Sequence, residues 1–255
     1  MTTMDVPRSD DGGLFDYQWI NREEAEKILE GLKKRHKNEL RDFFNENKLL
    51  ALLSGPSLSV GLSMKQYRYK VLLIGKSSCG KTSLIRALQG KQSVNDYQPT
   101  IGIQTTAIYW PVKLNQPNRP TYMFRLDMWD TGPSSFQNFD YIEKDCFESV
   151  DLVMFVISAS DRDGFNHLPE LINEKLTQAS PTRSFSTIVF ITKFDQLSDL
   201  TASDAEQFQT KYNVPVYLFS SVHTNFRSTS SYLTMICERL WKRDLELSMT
   251  GTIFV

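Results

Sequence analysis

The octapeptide Gly75-Lys76-Ser77-Ser78-Cys79-Gly80-Lys81-Thr82 meets every fixed position of the pattern G-x-x-x-x-G-K-[S/T], and nothing else in the chain limits its fold as strongly. Such a loop can grip phosphate only where a strand turns directly into a helix. Its flanks agree: Tyr69 to Ile74 is a short apolar run suited to a buried strand, and Ser83 to Leu88 suits a helix. In that setting the N–H groups of the loop and of the helix start face phosphate oxygens. Lys81 reaches the β- and γ-phosphates, and the Thr82 hydroxyl ligates Mg²⁺. Gly75, Ser77, Ser78, Cys79, Gly80, Lys81, Thr82 and Ser83 are therefore the expected phosphate-binding residues, with Cys79 as a small filler of the turn.

A chain of 255 residues favours one core domain with an extension. The formal net charge of −1 provides no global field that would draw in nucleic acid or an anionic membrane. Cys79, Cys146 and Cys237 are odd in number and widely spaced, which points to free thiols in a reducing compartment rather than a disulfide frame or a zinc site. The longest apolar run, Leu152 to Ile157, is far short of the ~20 residues that cross a bilayer. The N-terminus lacks the basic and apolar regions of a signal peptide. Neither end carries a lipidation signal, so a cytoplasmic protein recruited through other proteins is expected.

Residues 1–19 are polar and glycine-containing and are expected to be flexible. Asn21 and Glu24 form a capping box ahead of Ile28, Leu29, Leu32, Leu40, Phe43 and Phe44, which recur at amphipathic helical spacing. Residues 20–67 thus read as a helical extension and linker whose apolar face packs on the main domain or on a partner. From there strands are predicted at 69–75, 103–114, 121–130, 151–158, 187–193 and 215–219, and helices at 81–89, 164–178, 203–212 and 231–246. The alternation implies an α/β fold with a mostly parallel sheet, and the short link between 103–114 and 121–130 implies an antiparallel hairpin at one edge. A main domain over 68–247 is followed by a tail over 248–255.

Four further segments lie in the loops that follow predicted strands or precede one. They are Tyr97 with Pro99-Thr100-Ile101-Gly102, Trp129-Asp130-Thr131-Gly132, Thr192-Lys193-Phe194-Asp195, and Ser221-Val222-His223. Together with the phosphate loop they resemble the Ras/Rab superfamily of small GTPases in order and spacing. The resemblance implies the P-loop small-GTPase fold, a six-stranded mostly parallel sheet with one antiparallel edge strand, plus the N-terminal helical extension. It implies GTP or GDP and Mg²⁺ as ligands. By resemblance Thr82 and Thr100 ligate the metal, Asp130 holds it through a water, and Tyr97 approaches the phosphates. Asp195 accepts hydrogen bonds from guanine, the stem of Lys193 covers the base, and the segment Ser221-Val222-His223 offers an N–H to the guanine O6.

The run from Thr100 to Thr106, Tyr109 to Leu114, the Thr-Lys-Phe-Asp-Gln form at 192–196 and the extension more closely resemble the Rem- and Rab-like small GTPases of the ciliogenesis and planar polarity effector complex. For that family the implied partners are Fuzzy, Inturned and a WD-repeat subunit. The implied setting is the base of the cilium and targeted vesicle or intraflagellar transport.

The chain departs from the superfamily where hydrolysis is made. Aligned on Asp130-Thr131, Pro133 takes the place of a glycine whose N–H meets the γ-phosphate, and Ser134 that of the water-orienting glutamine. Proline has no N–H, and one lost hydrogen bond to a charged group is worth about 1.5–3 kcal/mol. In a second register Gly132 becomes the phosphate donor and Pro133 takes the glutamine position. Either way no catalytic residue is evident and hydrolysis is expected to be weak. Ser93 replaces a base-covering aromatic ring, His223 replaces lysine, and Thr192 replaces an asparagine, which is expected to weaken a tether between the base loop and the phosphate loop. Three readings remain: a GTP-dependent switch, a cycling GTPase completed by a partner, and a nucleotide-degenerate scaffold.

Overall fold

The computed structural model describes residues 14–19, 64–91, 99–115, 120–132, 140–178, 185–222 and 226–249. Among them six strands form one sheet in the order β2-β3-β1-β4-β5-β6. These are β1 (Gln66–Ile74), β2 (Ile103–Lys113), β3 (Thr121–Thr131), β4 (Leu152–Ser158), β5 (Ser186–Thr192) and β6 (Val216–Leu218). The β2–β3 pair is antiparallel, in register from Ile103 opposite Thr131 to Lys113 opposite Thr121. All other pairings are parallel, so the predicted edge hairpin and mostly parallel sheet are present. Pro111, which cannot donate to a ladder, is tolerated because β2 is an edge strand.

Every residue of β4 and β5 is buried, the signature of strands covered on both faces. In β1 the side chains alternate between two cores. Val71 and Leu73 join helices α1 (Lys81–Leu88) and α6 (Phe226–Met249) on one face. Leu72 and Ile74 join α3 (Arg162–Asn166), α4 (Leu168–Gln178) and α5 (Ala202–Tyr212) on the other, where Cys146 of α2 (Asp140–Phe147) is also buried. This period-2 division follows from the strand pleat. Trp110 is fully buried, and its Nε1–H donates to Thr234 Oγ1 of α6 at 3.1 Å, so the indole is satisfied.

Several expectations are corrected. The helix predicted over 164–178 is two helices, because Pro169 supplies no N–H to continue the first. The short α2 is absent from the predicted helices. A capping box between Thr201 and Asp204 starts α5 one residue earlier than its periodicity indicates. The capping box at Asn21 and Glu24, the extension over 20–63 and the tail from 250 onward lie outside the described residues.

Flexibility through residue 19 does not hold for Leu14 to Trp19. Phe15 pairs with Leu114 across the end of β2, the Asp16 N–H donates to Lys113 O at 2.9 Å, and the Asn115 N–H donates to Leu14 O at 2.8 Å. Phe15 packs on Phe124 and Trp241, and Phe15 and Trp19 are buried. Glu238 of α6 fastens the segment: its Oε1 accepts from the Leu14 N–H at 3.0 Å, and its Oε2 from the Tyr17 hydroxyl at 2.6 Å. Burial acts to raise the Glu238 carboxyl, but Tyr17, Lys242 and the Leu14 N–H together hold it below its usual value.

A carboxylate depressed in the folded state stabilises fully above its unfolded value, near 4.3, and loses that contribution as pH falls through the lower folded value. Protease sensitivity of the 14–19 segment is therefore expected to be flat from pH 7 to about 5 and to rise below about 4. In Glu238→Gln the segment is expected to be more sensitive at neutral pH and less dependent on acid.

Candidate nucleotide site

The site forms where the carboxyl ends of β1, β3, β4 and β5 converge. β1 ends at Ile74 and the chain turns at Gly75, where a Cβ would stand 2.2 Å from the Val156 carbonyl oxygen and 2.8 Å from Cys79 Sγ. Only glycine fits that approach. Ser78 takes φ 58° and Gly80 φ 101°, and Gly80 caps α1 with no side chain over its first turn. No acidic residue occupies that turn, so the field of the helix start stays favourable to anions.

Lys81 is buried, and its Nζ donates to Gly75 O at 2.7 Å and Lys76 O at 3.0 Å. The ammonium is thus held over the loop by the carbonyls of its own first two residues. Cys79 is buried within the turn, and burial pushes its thiol above the usual range. That environment suits the filler role and does not activate the sulfur. All three cysteines are free and buried. Ser77, Ser78 and Thr82 are exposed, and Ser83 is half-buried in the first turn of α1.

Three side chains from distant stretches meet beside the loop. Thr82 Oγ1 donates to Asp130 Oδ2 at 2.5 Å, Thr100 Oγ1 stands 3.3 Å from the same oxygen, and the two hydroxyls are 3.1 Å apart. Asp130 lies one residue before the end of β3, which runs parallel to β1, and this pairing delivers it to the loop. Burial raises its carboxyl, opposed by Thr82, Lys81 and Thr100. Its Oδ1 is buried without a protein partner. A carboxylate with one oxygen unsatisfied, beside two hydroxyls, is an all-oxygen donor set of the kind a hard divalent cation such as Mg²⁺ takes. Among the described residues no group of three His, Cys, Asp or Glu could hold a metal. The residues present fit Mg²⁺.

The start of the segment after β3 separates the two sequence registers. The Gly132 N–H donates to Gly102 O at 2.8 Å, continuing the β2–β3 ladder. A Cβ on Gly132 would sit 2.3 Å from Thr100 O, so glycine lets the Thr100 stretch lie close against it. The second register requires that N–H for phosphate, and it is already taken. Pro133 and Ser134 lie outside the described residues, as do Tyr97, Ser93 and His223.

On the far side Thr192 ends β5. Its hydroxyl bonds the Cys79 carbonyl and stands 3.1 Å from Ile157 O. The tether expected to weaken is therefore present, made by a buried hydroxyl instead of an amide. Lys193 adopts φ 57° and its carbonyl accepts from the Gln196 N–H at 3.0 Å, forming the turn that carries the half-buried Asp195. The Phe194 N–H donates to Phe219 O at 3.3 Å, so this loop is joined to the segment after β6. There Ser221 is half-buried and Val222 exposed.

One contact had no signal in the sequence. Lys76 Nζ pairs with both oxygens of Asp161 at 2.9 and 2.8 Å, joining the phosphate loop to the start of α3. The Lys76 ammonium is the main cause that holds the Asp161 carboxyl below its usual value, aided by the Gly164 N–H against modest burial.

A phosphate loop between β1 and α1, two threonines converging on a strand-end aspartate and an antiparallel edge hairpin define a P-loop α/β protein of the small-GTPase class. A Ras family model matches residues 70–239, and the chain belongs to the Ras family. It is 32% identical over 259 residues to Ciliogenesis and planar polarity effector 2 of Xenopus tropicalis, with 96% of each chain covered. The protein of the same name from Danio rerio is 33% identical over 227 residues, covering 88% of this chain and 83% of that one. Ras-related protein rab-39 of Caenorhabditis elegans is 24% identical over 69% of this chain and 75% of that one.

Proposed function

We propose that this protein is a GTP- and Mg²⁺-binding switch with weak intrinsic hydrolysis that recruits protein partners in ciliogenesis or in vesicle or intraflagellar transport. The observation that carries the reading is the convergence of Thr82 and Thr100 on Asp130, whose second oxygen lacks a protein partner. In this reading Lys81 and the N–H groups of the loop and of α1 hold the phosphates. Thr82 and Thr100 ligate Mg²⁺ directly and Asp130 through water, Asp195 reads guanine, and Lys193 covers it. When bound, Mg²⁺ neutralises charge on the phosphate oxygens. The names of the curated relatives support a role in ciliogenesis. By family resemblance the partners are Fuzzy, Inturned and a WD-repeat subunit, and the location is the base of the cilium.

Weak hydrolysis follows from the strand end. Gly132 spends its N–H on Gly102, Pro133 has none, and Ser134 is too short to orient an attacking water. Since unaided relatives with complete sites turn over at on the order of 10⁻⁴ s⁻¹, this chain is expected to be slower. The purified protein, analysed by nucleotide chromatography and single-turnover hydrolysis, is expected to retain GTP for hours. Bound GDP with rapid single-turnover hydrolysis would instead indicate a working GTPase. A site that stays empty at millimolar GTP and Mg²⁺ would indicate a scaffold.

A further inference from the structure

We infer that the triphosphate is sensed through one arm of the site only, the stretch from Pro99 to Thr106, while helix α2 is held in one position whichever nucleotide is bound. This rests on the nucleotide-binding reading above and concerns how the bound state is communicated.

A second arm needs two things: a donor to the γ-phosphate at the start of the segment after β3, and a helix free to follow it. Among the described residues that donor is absent. Gly132 is the last described residue before that segment, its N–H is engaged by Gly102 O at 2.8 Å, and the next residue is a proline.

The helix is fastened from three sides. Lys70 of β1 donates from Nζ to Asp145 O at 2.9 Å and Glu148 O at 2.8 Å, closing the carboxyl end of α2. The same ammonium lies 3.8 Å from the centre of the Trp129 ring, so it also joins α2 to β3 beside Asp130. Lys175 of α4, largely buried, donates to Glu143 Oε1 at 2.6 Å. Cys146 is wholly buried in the core between them. Strand, neighbouring helix and core therefore each hold α2, and none of these contacts involves a residue assigned to the nucleotide.

The opposite arm carries Thr100, whose hydroxyl reaches Thr82 and Asp130. Next to it Ile101 is 89% exposed. A change at Thr100 thus passes directly into a surface a partner can touch.

Hydrogen–deuterium exchange of the full chain with Mg²⁺ and either GDP or a non-hydrolysable GTP analogue tests this. Chromatography of the same samples establishes occupancy. Exchange over 99–106 is expected to slow about tenfold or more with the analogue, with less than about a twofold difference over 140–148. In Lys70→Met, exchange over 140–148 is expected to quicken equally in both nucleotide states. A nucleotide-dependent change over 140–148 in the wild-type protein overturns the one-armed reading, and unaltered exchange there in Lys70→Met overturns the role given to that anchor. An unoccupied site overturns the nucleotide-binding reading itself, and with it this one.

Discussion

Asp195→Asn is expected to weaken GTP binding by a factor of roughly 10²–10⁴ and to improve binding of xanthosine triphosphate. A carboxylate accepts two hydrogen bonds from the N1–H and exocyclic amine of guanine, and each charge-assisted bond is worth about 1.5–3 kcal/mol. An amide presents one acceptor and one donor, which clashes with the guanine amine and complements the carbonyl that xanthine has in its place. The backbone argues for this residue as the reader. The left-handed turn at Lys193 and the bond from Phe194 N–H to Phe219 O hold residue 195 between the phosphate loop and the segment after β6. Competition of labelled GTP by both nucleotides measures the exchange in preference, and GTP affinity that stays unchanged would remove Asp195 from the site.

The second large effect is on stability. Arg243 of α6 donates from Nη2 to Asp151 Oδ1 at 2.8 Å, and both side chains are 9% exposed. Asp151 immediately precedes β4, and its other oxygen accepts the Lys70 N–H at 2.7 Å. Arg243→Met leaves that carboxylate buried without its cation, which costs about 3–5 kcal/mol. Thermal unfolding is expected to begin on the order of 10 °C lower, since about 1 kcal/mol moves a domain of this size by 2–4 °C. Pairing the change with Asp151→Asn removes the stranded charge, keeps an oxygen to accept the Lys70 N–H, and is expected to recover most of the loss. A double variant as unstable as Arg243→Met would show that packing of the arginine, not its charge, carries the effect.

What could be read from the sequence was local in origin. β4 and β5 announce themselves as unbroken apolar runs because both their faces are buried. The phosphate loop declares its strand–turn–helix setting because Gly75 answers to Cys79 four residues on and to Val156 in the adjacent strand. What escaped depends on partners far along the chain. Leu14 to Trp19 looks like the end of a polar tail until Glu238, 224 positions away from Leu14, supplies its acceptors. α2 has a weak pattern of its own and takes its place from Lys70 and Lys175.

Thr192 makes the tether that the loss of an asparagine is expected to weaken. A hydroxyl is shorter than an amide, but Gly80 lets the two loops draw close: a Cβ there would be 3.2 Å from Thr192 Oγ1, and the hydroxyl reaches the Cys79 carbonyl. The contact depends on a glycine 112 positions away from Thr192, which the residues around Thr192 do not reveal.

The anchoring of Leu14 to Trp19 also sets what lengthening the chain between Trp19 and Met64 involves. Phe15 at one end and Tyr67 just past the other both pack on Trp241, and the Lys65 carbonyl is bound by Met123 N–H at the start of β3, away from the phosphate loop. The two chain ends that flank residues 20–63 therefore meet in one aromatic cluster. Closing a loop has an entropy that grows only with the logarithm of its length, so doubling that stretch costs about 0.6 kcal/mol. The closure entropy of bringing Phe15 and Tyr67 together on one ring is thus nearly insensitive to the length of chain between them.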